Sequence, residues 1–183
     1  MVTTEQLFSG LLHVISSPID GGKLEWIVIR PAEGKREFRA KVHVSSDNGV
    51  AGDRWRTSCW LTLPDGSPDP RVQLSLMNTR ILQLISGGEE RIALAGDNLI
   101  VDLDLSGRNI TPGQRLAIGE AVVEVTDVPH AGCGKFMERY GRDAVKFINS
   151  AEGKRLHLRG LYAKVIRPGV VHVGDEVRKV ESS

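Results

Sequence analysis

The sequence is poor in cysteine, in long apolar runs and in excess charge, and each shortage removes a class of protein. Only Cys59 and Cys133 occur, far apart in 183 residues, too few for the disulfide framework of a small secreted domain, so both are expected to be reduced thiols. The leading MVTTEQLFSGLLHVISS has no basic stretch followed by a long apolar one, and no run approaches bilayer-spanning length. That argues against a signal peptide or a membrane span and makes the cytoplasm the expected compartment. Twenty-four Lys and Arg against 23 Asp and Glu leave a formal net charge of +1. No overall field therefore recruits nucleic acid or an anionic membrane, and a charged ligand must be held by a local cluster. Internal repeats and low-complexity tracts are also missing. What remains, 40% apolar residues in a chain of this length, is enough to bury a core, and one domain over residues 1–183 is expected.

Short alternating or β-branched runs separated by Gly, Pro, Asp and Asn predict a mostly-β, largely antiparallel fold rather than βαβ units. Strands are expected at Leu11 to Ser16, Leu24 to Arg30 and Glu37 to Val44, forming a meander, and at Val72 to Leu76. Asn78 predicts a helix cap, with Ile81, Leu82, Leu84 and Ile85 on an apolar face that stops at Gly87-Gly88. Further strands are expected at Asn98 to Leu103, Arg115 to Ile118 and Ala121 to Val125. A second helix is predicted from Gly134 to Ile148, then a short turn over Ala151 to Leu156, then a hairpin of Leu161 to Ile166 with Val170 to Val177. The first few residues, Pro64 to Pro70 and Glu181 to Ser183 are expected to be mobile. Many strands with few helices point to a closed or nearly closed β-barrel, which removes exposed edges.

The chemistry concentrates around Cys133. In Pro129-His130-Ala131-Gly132-Cys133-Gly134-Lys135 a thiol stands between two glycines just before a predicted helix, where free backbone N–H groups and nearby cations favour a thiolate. Lys135 and Arg139 add positive charge and His130 is a candidate proton partner. The alternative is a small buried thiol at a helix start. A Walker-type phosphate loop fails on spacing, because Pro129 stands where its first glycine belongs and Phe136 where its hydroxyl residue belongs. A zinc site fails on ligand number. Cys59, between Trp55 and Trp60, reads as a packed thiol, and Gly52-Asp53-Arg54 and the group Arg155, Arg159 and Lys164 read as weak anion contacts.

Taken in order, several tracts resemble the MOSC family, the domain named for the C-terminal part of molybdenum cofactor sulfurases. They are Gly49 to Arg54, Val72 to Leu76, Ala95 to Leu99, Asp104-Leu105, Pro112 to Gly119, Glu124 to Thr126, Cys133, Arg159 to Ala163 and Gly169 to Asp175. One departure is local: Pro129 and Cys133 are separated by three residues, where a common family form has Pro-Cys. The resemblance implies a MOSC-type barrel with a few short helices that binds molybdenum cofactor or carries sulfur for metal–sulfur cluster assembly. Cys133 would be the persulfide acceptor, and Lys135, Arg54, Asn98, Arg139 and Arg159 would surround an anionic cofactor. A second implied activity is a molybdenum-dependent reductase of N-hydroxylated substrates with Cys133 as metal ligand, so both sulfurtransferase and oxidoreductase chemistry stay open. A non-catalytic barrel that binds a small anion or serves as an interaction module is the third reading. The sulfur or electrons would come from a partner, a cysteine desulfurase or a redox protein. Nothing argues for a Schiff-base lysine, so pyridoxal phosphate is not expected. The common premise is that the Cys133 sulfur lies open to solvent at an electropositive cradle inside the barrel mouth.

Overall fold

The computed structural model of the chain describes residues 1–181. In chain order the elements are α1 (Thr4–Ile15), β1 (Gly22–Ile29), β2 (Glu37–Arg39), β3 (Lys41–Ser45), β4 (Gly49–Val50), α2 (Trp55–Ser58), β5 (Leu74–Asn78), α3 (Thr79–Ser86), β6 (Leu99–Asp102), β7 (Arg115–Ile118), β8 (Ala121–Val125), α4 (Gly134–Tyr140), α5 (Arg142–Ile148), α6 (Ala151–Arg155), β9 (Leu161–Arg167), β10 (Gly169–His172) and β11 (Glu176–Val180). Seven strands follow one another as β11-β7-β8-β9-β5-β6-β1, and β11 pairs back onto β1 through Gly22↔Val177, closing a barrel. The short β2 hangs on β1, and β10, β3 and β4 form a separate small sheet.

Closure follows from the alternation of side chains. Leu74, Leu76, Leu99, Val101, Leu161 and Ala163 point into one aliphatic core that fills the barrel. The intervening Met77 and Ile100 point outward into a second cluster, with Leu7, Ile81, Phe136 and Tyr140 from the helices. Full burial of each such side chain contributes about 1.5–3 kcal/mol. The barrel lumen is therefore solid, and any ligand must bind outside it.

Several sequence expectations need correction. The strand expected over Leu11 to Ser16 is instead the end of α1 with Ser16 as its C-cap, because Leu7, Leu11 and Val14 fall on one face and Thr3 caps the start: its hydroxyl accepts from the Gln6 N–H while the Gln6 side chain accepts from the Thr3 N–H. The first residues are therefore tied down rather than loose. Pro64 to Pro70 is ordered too, since the Leu63 N–H donates to Ser67 O and the Asp69 N–H to Leu61 O. The expected tail lies, from Ser182 on, outside the described residues. The early meander does not form, because β3 leaves β1 and β2 for β10. For the same reason β9 and β10 make no hairpin with each other: β9 pairs with β5 and β8. The strand expected from Val72 begins at Leu74, after a 3-10 turn over Pro70–Val72. One pair is parallel, β5 with β6, joined across α3. The single helix expected from Gly134 is broken at Gly141, whose φ of 93° only a residue without a Cβ adopts readily.

Candidate functional site

On β5 the residue between Leu74 and Leu76 is Ser75, and on β9 the residue between Leu161 and Ala163 is Tyr162. Both stand on the outside of the barrel wall and line a cavity of about 500 Å³. The electropositive cradle is thus on the barrel's outer face, roofed by loops and α4, and not inside its mouth. Six cationic side chains line it, Arg30, Arg36, Arg54, Lys135, Arg139 and Arg159, against two carboxylates, Glu33 and Asp97. A chain that is almost neutral overall has gathered its charge in one place, and such a concentration draws anions.

The cations are held apart by dedicated partners. Asp53 accepts from the Arg30 backbone N–H and from its Nε and Nη2, each at 2.8 Å, and from the Trp55 N–H at 2.9 Å. Burial pushes the Asp53 carboxyl upward, but the hydrogen bonds and charge of Arg30 outweigh it and hold the group below its ordinary range. Asn98 is fully buried beneath this pair. Its amide donates to Val28 O and Asp53 Oδ2, and its carbonyl accepts from Ser75 N–H and Arg30 Nη2. Asn98, expected as a cofactor contact, spends its hydrogen bonds on positioning Arg30 and Asp53. By contrast the Arg54 guanidinium has no side-chain partner among the described residues, and the Arg36 Nε is buried and unpaired. Burial, then the repulsion of Arg139, Arg30 and Arg54, lowers the Arg36 pKa. Arginines that push on one another with donors to spare are an arrangement that an anion would relieve.

The floor is a second polar knot. Asp97, wholly buried, accepts from Arg159 Nη1 at 2.6 Å, and Arg159 lies over the Phe136 ring at 4.8 Å. Asp97 Oδ1 faces His130 Nδ1 at 3.8 Å, too far for a hydrogen bond, so both atoms are unpaired, as is Arg159 Nε. His130 stacks on Tyr162 with ring centroids 4.2 Å apart, and Tyr162 meets the exposed Trp60 at 6.1 Å. Three rings thus climb one wall from floor to rim. Burial, followed by the charges of Arg159 and Arg30, puts the His130 pKa well below 6.5, so the folded protein holds a neutral imidazole that the unfolded chain would protonate. Its contribution to stability is complete above about pH 6.5 and is lost as the pH falls below that value. The thermal midpoint should drop between about pH 7 and about pH 5, and His130→Gln should flatten that part of the profile; a profile unaltered by the substitution would contradict the buried neutral ring.

Cys133 is exposed and lines the same cavity. It is the N-cap of α4, with extended backbone at φ −105° and ψ −179°. That helix has seven residues, too short for its dipole to weigh heavily at the sulfur. Of the residues expected at the site, His130, Lys135, Arg54, Arg139 and Arg159 line this cavity with Cys133, while Asn98 lies in an annex beside it with Cys59. The Cys59 thiol is half-buried and donates to Leu61 O. Arg30, Arg36 and Asp97 were not anticipated. Arg30 reads in the sequence as a strand end and Arg36 follows the Ala32-Glu33-Gly34-Lys35 turn, and the long-range pairing of β1 with β6 brings Arg30 to Asn98 and Arg36 to Gly96 at the cavity wall.

The sequence profile of the MOSC domain matches residues 70–178. The chain belongs to the MOSC domain family. The matched segment carries Cys133, Asp97, His130 and Arg159, whereas Arg30, Arg36 and Arg54 precede it and join the site only through folding. Solved structures share the fold. The YUAD protein of Bacillus subtilis superposes with a TM-score of 0.57 at 21% identity, over 88% of this chain and 97% of its own. YiiM of Escherichia coli does so at 0.56 and 20%, over 88% and 71%, and YiiM of Geobacillus stearothermophilus at 0.53 and 16%, over 90% and 75%. No functionally curated protein matches the sequence. Among the described residues no helix is long and apolar enough to cross a membrane.

Proposed function

We propose that this MOSC protein binds molybdenum cofactor in the cationic cavity on the outer wall of the barrel, with Cys133 as the sulfur that meets it. The observation that carries the reading is the coincidence, in one cavity of about 500 Å³, of six cations and an exposed thiol. The donor set suits a phosphate-bearing cofactor. Arg36, Arg54 and Arg139 would hold phosphate oxygens, and the Trp60 and Tyr162 rings would flank a planar ring system. Thiolate is a soft ligand, which suits molybdenum, and it is also a nucleophile toward sulfur. The bound cofactor would supply a metal centre able to accept sulfur or electrons. The protein's own part is to neutralise charge, exclude water beneath Tyr162 and His130, and present Cys133 Sγ.

As a sulfur carrier, Cys133 would take sulfur from the persulfide of a cysteine desulfurase. The Cys133 thiolate attacks the outer sulfur of the donor, an S–S bond forms at Cys133, and the donor cysteine leaves as thiolate with the electron pair of the broken bond. A reducing compartment such as the cytoplasm would keep the acceptor thiol available.

The test is metal and pterin analysis of protein isolated from a host that makes molybdenum cofactor, with Cys133→Ala and Arg54→Glu in parallel. The parent should retain molybdenum and pterin. Arg54→Glu should lower retention of both by about tenfold or more, the worth of one charge-assisted contact, and Cys133→Ala should lose molybdenum and should also fail to accept labelled sulfur from a desulfurase. A parent protein free of both molybdenum and pterin would overturn the reading.

A further inference from the structure

Helix α1 buries only part of its apolar side. Leu7 and Val14 enter the outer cluster with Met77, Ile81 and Leu82, and Leu11 is half-buried beside them. On the adjoining side Phe8, Leu12 and Ile15, four and three residues apart, form a second row within about 60° of the helix circumference. Phe8 is 59% exposed, Leu12 74% and Ile15 48%. The row is nevertheless fixed in place, because Phe8 meets the buried Phe147 of α5 edge-on, with ring centroids 5.2 Å apart.

The apolar arc of α1 is thus wider than the protein beneath it covers. The three side chains together offer roughly 300 Å² of hydrocarbon to water, an area that on a soluble protein often marks a contact surface. A stable protein–protein contact takes about 800 Å² from each partner, with apolar side chains at its centre and polar ones around them. Phe8, Leu12 and Ile15 supply such a centre, and Glu5, Ser9 and His13 of the same helix supply polar neighbours.

We propose that the row is covered by the same row of a second copy of this chain, the two α1 helices lying antiparallel across a twofold axis near Leu12. A twofold contact uses one patch twice and covers both copies at once, whereas a head-to-tail contact needs a second apolar patch elsewhere. The other exposed apolar side chains, among them Phe38, Ile166 and Val173, come one at a time from separate elements. Antiparallel packing sets Phe8 toward Ile15 of the second copy and keeps the two Glu5 carboxylates at opposite ends, where parallel packing would bring them together. A helix that lies on an anionic bilayer carries Lys and Arg on its polar side, and α1 has neither. Among the described residues α1 adds nothing to the lining of the cationic cavity, so pairing leaves that cavity open in both copies.

Sedimentation equilibrium of the full chain between about 1 and about 200 µM tests this without molybdenum cofactor, so its outcome and that of the proposed function are independent. The parent should form a dimer in the micromolar range. Leu12→Glu should weaken it at least about a hundredfold, because the interface carries the change twice, and Ile15→Lys should act in the same direction. Val173→Glu, at an exposed position outside α1, should leave the dimer unchanged. A parent that stays monomeric throughout, or a dimer that survives both α1 substitutions, would overturn the proposal. So would a monomeric parent that floats with phosphatidylglycerol vesicles, which would make the row a membrane contact. Should Leu12→Glu fold poorly, Ile15→Lys and the concentration dependence of the parent still decide.

Discussion

Asp97→Ala should lower the stability of the protein by about 3–5 kcal/mol, the cost of removing one partner from a buried ion pair. Asp97 is shielded completely from solvent and is the carboxylate that meets the Arg159 guanidinium, itself nine-tenths buried. Without it the cation is left over the Phe136 ring and beside Met77, with the Ala95 carbonyl as its remaining oxygen partner. Urea denaturation reads the loss directly. Arg159→Met in the Asp97→Ala background should restore much of it, because an apolar pair of similar volume carries no desolvation penalty. A single substitution costing less than about 1 kcal/mol, the scale of a surface pair, would mean that the floor of the cavity is wetter than its geometry implies.

Gly160→Ala should be comparably severe, with a loss of at least about 3 kcal/mol. Gly160 has φ of 94°, and a Cβ there would stand 2.0 Å from the carbonyl oxygen of Leu76. The obstacle is backbone at the start of the β5–β9 ladder, where Leu76 pairs with Leu161, so relief requires prying two barrel strands apart. That shift would carry Arg159 and Tyr162 with it and open the floor of the cationic cavity. Gly66→Ala is the matched control: its φ is 83° with nothing within 4 Å, and it should cost only the backbone term, about 1 kcal/mol. Thermal unfolding of the two variants side by side separates crowding from conformational strain.

The strands with clean alternation were legible. The turn at Gly119-Glu120, the Asn78 cap and the closed barrel all follow from local rules and appear in the structure. The misread segments are those where a short β-branched run was also compatible with a helical face, as in Leu11 to Ile15, which Leu7 and a capping box decide in favour of helix. Partner choice between strands was not legible either, since β3, β9 and β10 alternate equally well in a hairpin or in separate sheets. Within the site, Cys133 and the cations near it in sequence could be named, because glycines and basic residues mark that segment. Arg30 and Arg36 could not, because nothing within a few residues says that the end of β1 faces α4. The location of the cradle was misjudged for a simple reason: alternation tells which residues share a face, but not which face is filled.

Barrel closure has a consequence for biosynthesis. β11 is the last described strand in chain order, and it seals the gap between β7 and β1 by pairing with both. A nascent chain that has made β1 through β10 therefore carries two unsatisfied strand borders until translation reaches Glu176, and such borders recruit neighbouring polypeptides. A ribosome stalled or a message truncated before that point should yield a product that clumps rather than one that is merely less active.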